Sequence, residues 1–257
     1  MLHPFLAYIK YFLRSKNQYG VHSPFVYNFI SRGLAKSSDM DLSSAKQFRK
    51  SLGKNKNYIE VTDFGAGSRV FKDNKRQVSA IASKAGISKK RGKLLSKALD
   101  YFKPDRILEI GTSLGIATAY MASTCPKAKI ITLEGCPAVA GIAKEAFEAF
   151  QLNNIEVVTG EFSNTLANVL KNNQFDFIYF DGNHQKEPTL DYFEQCLAAA
   201  HKDSIFIFDD IHWTTGMEEA WEEIKNHKSV SLSLDTYKWG MVFFREGQVK
   251  QHFTLRI

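Results

Sequence analysis

Residues 106–115 read RILEIGTSLG. A short apolar run ends in a glycine loop, and IATAYMAST follows with a helical pattern. A second glycine loop sits in VTDFGAGSRV, residues 61–70. The fold depends on which of the two holds a ligand. In a doubly wound sheet, ligands bind beyond the carboxyl ends of the strands, with an anionic group at a helix N-terminus. An acid ending the next strand, about 20 residues on, takes ribose hydroxyls. GTSLG meets these conditions. Gly111 follows the apolar run, Gly115 opens the helix, and Glu134 ends KIITLE, 134 − 109 = 25 positions after Glu109. GAGS runs instead into the polar RVFKDNKRQ. The cofactor is therefore expected at residues 109–115. The loop lacks the middle glycine of G-x-G-x-x-G, which argues against a dinucleotide and a nicotinamide-dependent dehydrogenase.

Working outward, the same alternation recurs. IEVVTG leads to NTLANVLKN, FDFIYFDG to TLDYFEQCLAAA, and SIFIFDD to MEEAWEEIKN. Together with the units starting at RILEIG and KIITLEG, this predicts a mostly parallel sheet with helices on both faces. Unbroken runs such as FIYF and IFIF suit strands buried on both sides. SVSLSLDT and WGMVFFR predict a closing hairpin with one antiparallel strand. The expected fold class is α/β, a doubly wound, Rossmann-like, mostly parallel seven-stranded sheet with a C-terminal antiparallel hairpin and an N-terminal helical extension. The expected division is 1–87, the extension with the GAGS loop, and 88–257, the cofactor-binding domain.

The extension starts with MLHPFLAYIKYFLRSK. Phe5, Tyr8, Ile9, Phe12 and Leu13 fall at helical spacing, so this face is expected to dock on this protein or on a second copy, giving a homodimer. Lys10 and the short length exclude a membrane span, and no basic leader or cleavage pattern marks a signal peptide. Surface binding to a membrane is the alternative. Ser23-Pro24 predicts a helix start, with Gly33 as its stop. Three widely spaced cysteines give neither a disulfide framework nor a zinc motif, and a cytoplasmic location is expected. Of the net charge of +7, much lies before residue 105. A solvated helix surface is the favoured reading of those lysines, with nucleic-acid binding the weaker one.

LEIGTSLGIATAYMA, TLEG, FDFIYFDGNH and SIFIFDDIHW resemble the class I S-adenosylmethionine-dependent methyltransferases. Among these the chain looks most like the small catechol-type O-methyltransferases, over residues 90–245. The resemblance implies S-adenosylmethionine as cofactor and methyl transfer to a small-molecule hydroxyl. It implies a methionine pocket from Glu109, Gly111, Thr112, Ser113 and Gly115. Glu134 would take the ribose, and Gly160, Glu161 and Phe162 the adenine. Free amides at a helix start suit the cofactor's carboxylate, and Glu109 suits its ammonium.

Asp181 ends the fourth strand, and Asp209 and Asp210 end the fifth. Three carboxylates at neighbouring strand ends suit Mg²⁺ or another divalent cation. Metal-dependent relatives commonly have asparagine at the third position, where this chain has Asp210. The alternative is that one acid caps a loop and another, such as Asp181, hydrogen-bonds substrate or cofactor. His184 stands where those relatives have a lysine that deprotonates the acceptor, and His212 is the second candidate base. Trp213 and Trp239 are read first as core residues and second as walls of an acceptor pocket. Residues 63–77 are a candidate lid, in which Arg69, Lys72, Lys75, Arg76 and Gln77 grip an acidic acceptor. Two alternatives to the small-molecule enzyme stay open: an RNA methyltransferase, and a catalytically inactive cofactor-binding or assembly protein.

Overall fold

The computed structural model describes residues 2–35, 40–65 and 73–257. Ala66 to Lys72, including Arg69 and most of GAGS, lie outside the described residues. Contacts divide the chain into two compact units, 1–36 with 170–257, and 37–169. This differs from the expected boundary at 87. The first 36 residues group with the C-terminal third, and 37–87 with the half that carries the glycine loops.

The chain opens with α1 (Leu2–Arg14) and α2 (Pro24–Asn28). The Ser23 hydroxyl accepts from the Val26 amide and Pro24 sits in the first turn, as expected. A π-helical turn, Phe29–Leu34, carries the chain through Gly33, so that glycine does not stop the helix.

The 37–169 unit holds α3 (Ser43–Lys54), β1 (Tyr58–Glu60), β2 (Lys75–Gln77), α4 (Val78–Lys84) and α5 (Lys89–Phe102). Strands β1 and β2 pair antiparallel, with Tyr58 opposite Gln77 and Glu60 opposite Lys75. Helix α5 starts on Ser88, whose hydroxyl accepts from the Arg91 amide, and ends on Lys103 in the left-handed conformation before Pro104. Next come β3 (Arg106–Ile110), α6 (Ile116–Thr124), β4 (Lys129–Glu134), α7 (Pro137–Ala149), β5 (Ile155–Thr159) and α8 (Phe162–Leu170). The strands run parallel in the order β3-β4-β5. Helix α6 is buried on every side over its first seven residues, which explains why it is apolar throughout rather than amphipathic.

The C-terminal part of the other unit holds β6 (Phe177–Phe180), α9 (Lys186–Leu197), β7 (Ile205–Asp209), α10 (Thr215–Asn226), β8 (Leu232–Asp235), β9 (Trp239–Phe243) and β10 (Gln251–Thr254). Their order is β10-β8-β9-β7-β6. Strand β9 is antiparallel to both β7 and β8, as the hairpin reading requires. Strands β6 and β7 are buried along their full length, and Phe180 stacks on Phe208 with centroids 4.2 Å apart. Each such buried phenylalanine contributes about 1.5–3 kcal/mol.

The described residues place eight strands in the mostly parallel α/β fold, one more than the expected seven. The addition is β10, parallel to β8. Four residues with Gln251 and His252 among them carry no apolar run, so the sequence pattern does not announce it. Among the described residues, no helix is long and apolar enough to cross a membrane.

Candidate functional site

The glycine loop after β3 is held by main-chain bonds. The Gly111 and Thr112 amides both donate to the Leu133 carbonyl, at 3.0 and 2.9 Å, near the end of β4. Gly115 closes the turn by donating to the Thr112 carbonyl at 2.9 Å. Gly111, Ser113 and Gly115 all have positive φ, at 108°, 49° and 76°. Gly115 is constrained twice. Its conformation is one L side chains rarely adopt, and an added Cβ would lie 2.3 Å from the Phe147 ring. No side chain caps α6, so its first amides keep their donors for another partner.

Glu134 ties this loop to the next. One carboxylate oxygen accepts from the Ser113 amide at 2.8 Å, and the other from the Cys136 amide at 2.9 Å. Burial raises its pKa above the usual carboxylate value. The Cys136, Ser113 and Gly135 amides act the other way, and the nearby Asp63 charge raises it further. Each carboxylate oxygen has a second lone pair, so these bonds leave acceptor capacity for two hydroxyls.

Glu109 lies inside the protein at 0% exposure. Its Oε2 accepts from Thr118 at 2.5 Å and Thr132 at 2.6 Å, and Thr132 meets Thr112 at 2.6 Å. The carboxylate therefore braces β3, β4, α6 and the loop from beneath. Thr118 and Thr132 are site-supporting residues that the sequence reading missed. The available signal was two threonines within apolar buried runs, since a buried hydroxyl needs a partner.

Gly160, with φ 142°, donates to the Glu134 carbonyl at 2.9 Å. Glu161 is exposed and Phe162 half-buried at the start of α8. All the expected methionine, ribose and adenine residues except Asp181 thus fall in one unit. The hairpin of β1 and β2 joins them there. The Thr62 amide donates to the Cys136 sulfur at 3.3 Å, and a Cβ on Gly135 would meet the Phe64 ring at 2.9 Å. Arg76 pairs with Asp63 at 3.4 Å. Within the described part of the candidate lid, Phe64 therefore lies against Gly135 in the turn that follows Glu134.

The other unit carries the acids and histidines. Asp181 and Asp209 follow or end paired strands, one step beyond the Phe180↔Phe208 match. Each acid then takes its own partner. Asp181 Oδ1 faces His184 Nε2 at 3.7 Å. Asp209 is buried, and its Oδ1 accepts from the Asp210 amide at 2.8 Å. Asp210, with φ 50°, meets Lys238 at 3.4 Å. The three carboxylates do not assemble the expected metal site. Among the described residues, no group of three or more His, Cys, Asp or Glu side chains is placed to hold a metal ion.

The two candidate bases differ sharply. His184 is partly exposed and packs edge-on against Trp213 at 5.4 Å. His212 is 9% exposed, with Nε2 on Asp235 at 2.9 Å and Nδ1 3.8 Å from Glu218. Glu218 also pairs with His3 at 3.2 Å, and the His212 ring stacks on Tyr237. His212 thus belongs to a closed polar network with His3, Glu218, Asp235 and Tyr237. Trp239 is fully buried, in line with the core reading.

The parallel strands, the reversed β9 and the glycine loop bound to an acid at the end of β4 form a Rossmann-like α/β fold. Residues 108–211 match the family model of a methyltransferase domain. The chain is 28% identical over 129 residues to the catechol O-methyltransferase of Niastella koreensis, covering 49% of this chain and 58% of that protein. It thus spans little more than half the length of the curated relatives it matches. Two solved structures share the fold at low identity. The Podospora anserina methyltransferase bound to S-adenosylhomocysteine superposes with TM-score 0.63 at 17% identity, covering 88% of this chain and 98% of that one. The Bacillus cereus O-methyltransferase, also with S-adenosylhomocysteine, gives 0.57 at 21%, covering 85% and 96%. The chain therefore shares its fold with these methyltransferases, and residues 108–211 match a methyltransferase domain.

Proposed function

We propose that this protein transfers the methyl group of S-adenosylmethionine to a hydroxyl of a small molecule. The observation that carries the reading is the Ser113–Glu134 hydrogen bond of 2.8 Å, which aligns a glycine loop, an uncapped helix start and an acidic strand end. The match to a catechol O-methyltransferase supports oxygen as the acceptor atom. Bound cofactor would supply an electrophilic methyl carbon, open to in-line attack by the acceptor oxygen, with the bond to sulfur breaking as S-adenosylhomocysteine leaves.

The chain's own residues have separate tasks in this reading. The free amides at the start of α6 hold the cofactor carboxylate. Glu134 accepts from the two ribose hydroxyls while keeping the loop in place. Glu161 accepts from the adenine amine, and Phe162 packs on the ring. Glu109 acts through the loop it braces rather than by an exposed carboxylate. His184 takes the acceptor proton, and the Asp181 charge favours the imidazolium that forms. Its partial exposure favours it over the enclosed His212. Three free cysteines suit a reducing compartment such as the cytoplasm.

The test has two stages. Calorimetric titration of S-adenosylhomocysteine into the purified chain is expected to show binding that Glu134→Ala abolishes. A panel of vicinal hydroxyl compounds is then scored by release of S-adenosylhomocysteine from S-adenosylmethionine. No binding to the unsubstituted chain would overturn the assignment. The candidate lid is a secondary part of this proposal, motivated by Phe64 against Gly135 and by the Asp63–Arg76 pair. Alanine at Arg69 and Arg76 is expected to raise acceptor KM with cofactor affinity held. An unchanged KM would remove the lid.

A further inference from the structure

Helix α1 does not bury its larger apolar stripe within this chain. The stripe that docks is the narrow one, with Ala7, Tyr11 and Ser15 buried. Phe5, Tyr8, Ile9 and Phe12 instead face solvent, as does Leu13 at 79% exposure. Leu6 joins them. At 100° per residue these six positions fill a continuous arc of about 160° that holds no charged residue of the helix itself, with Lys10 next to its edge, and the Arg256 guanidinium lies over the Phe12 ring at 4.9 Å. They are half of the twelve large apolar side chains exposed among the described residues.

The outward face is fixed from behind. The Tyr11 hydroxyl donates to the Leu255 carbonyl at 2.5 Å, and Tyr237 to the Pro4 carbonyl at 2.7 Å. Beyond the helix, the Lys16 amide donates to Thr254, and Arg256 donates back to Lys16. The helix is therefore held on the protein with its apolar side turned out. The surrounding sequence has one sign of charge. Residues 1–38 contain Lys10, Arg14, Lys16, Arg32 and Lys36 and no Asp or Glu.

We propose that α1 is an interfacial helix that docks this protein on an anionic lipid surface. A helix with an apolar face flanked by Lys and Arg lies in the plane of a bilayer, its apolar side in the acyl boundary and its cations among the headgroups. Anionic lipid supplies the charge that Lys10 and Arg14 lack on their own helix. A second copy fits less well. In a two-fold contact centred on α1, the same basic residues face each other, with no acid in the helix to neutralise them.

Flotation of the full chain with vesicles tests this. Vesicles of phosphatidylcholine alone are compared with vesicles in which about one third is phosphatidylglycerol. The chain is expected to float with the anionic vesicles and much less with the neutral ones. Phe5→Ser/Leu13→Ser and Lys10→Glu/Arg14→Glu should each lower partitioning by about tenfold or more. All four side chains are exposed, so the variants should keep their thermal midpoint and S-adenosylhomocysteine affinity. Failure of the unsubstituted chain to float overturns the proposal, as does variant binding equal to it. A dimer in sedimentation velocity that Phe5→Ser/Leu13→Ser splits, without vesicle binding, assigns the face to a second copy instead.

Discussion

The loop after β3 and the loop after β7 both leave buried apolar strands, and both use positive φ. They differ in what holds them. At residues 111–115 the fastening is main chain, with amides donating to Leu133, Thr112 and the Glu134 carboxylate. At residues 209–212 the polar side chains go separate ways, Asp209 to its neighbour's amide, Asp210 to Lys238 and His212 to Asp235. A site made from backbone direction follows from strand, glycine and helix in order. A site made from side chains needs each one aimed inward, and residue type does not set aim.

The sharpest way to break this contrast is at Gly115. An alanine there must adopt φ near 76° with its methyl inside the Phe147 ring, so we expect a loss of about 3 kcal/mol and no S-adenosylhomocysteine binding. Urea unfolding and calorimetry report both. Wild-type behaviour would show that the loop is held less rigidly than its hydrogen bonds indicate.

The side-chain half is tested at His184. With the acceptor identified, His184→Ala should lower kcat by about 100-fold or more while leaving S-adenosylhomocysteine affinity unchanged. An equal loss from His212→Gln and none from His184→Ala would exchange their roles.

Glu134→Gln should weaken S-adenosylhomocysteine binding by about tenfold or more, from charged hydrogen bonds reduced to neutral ones. It should also flatten the pH profile. Burial raises the pKa of Glu134, so wild-type affinity should fall as pH drops through that raised value and the carboxylate is lost. Folding stability has the opposite sign. The protonated acid is the favoured form in the folded state, so its contribution is full below the ordinary carboxylate range and is lost as pH rises through the shifted pKa. A glutamine variant with the same two slopes would remove Glu134 from both effects.

The smallest expected effect sharpens the contrast most. Chelation with EDTA should change turnover by less than about twofold, because among the described residues no group of three or more His, Cys, Asp or Glu side chains is placed to hold a metal ion. A large loss that Mg²⁺ restores would mean that these acids regroup around a metal.

Much of the unit that carries the glycine loop was legible in advance. RILEIG, KIITLE and IEVVT became parallel strands at their expected places, and Glu134 reached the loop that its spacing marked. The support beneath was harder to read. Thr118 and Thr132 matter because they converge on Glu109 from α6 and β4, a meeting that neither segment announces. His212 looked like a loop base but is enclosed by Asp235, Glu218 and Tyr237, which come from 6 to 25 positions further along.

The sequence by itself determined the alternation of strand and helix, the glycine turn and the acid at the end of the next strand. Each is set by local periodicity or backbone conformation. Only the tertiary structure decided that α1 shows its larger apolar face to solvent, that β10 joins beside β8, and that the three aspartates form no metal-holding group among the described residues. Those outcomes depend on contacts between residues far apart in the chain, such as Tyr11 with Leu255 and His212 with Asp235, and no pattern within one segment encodes them.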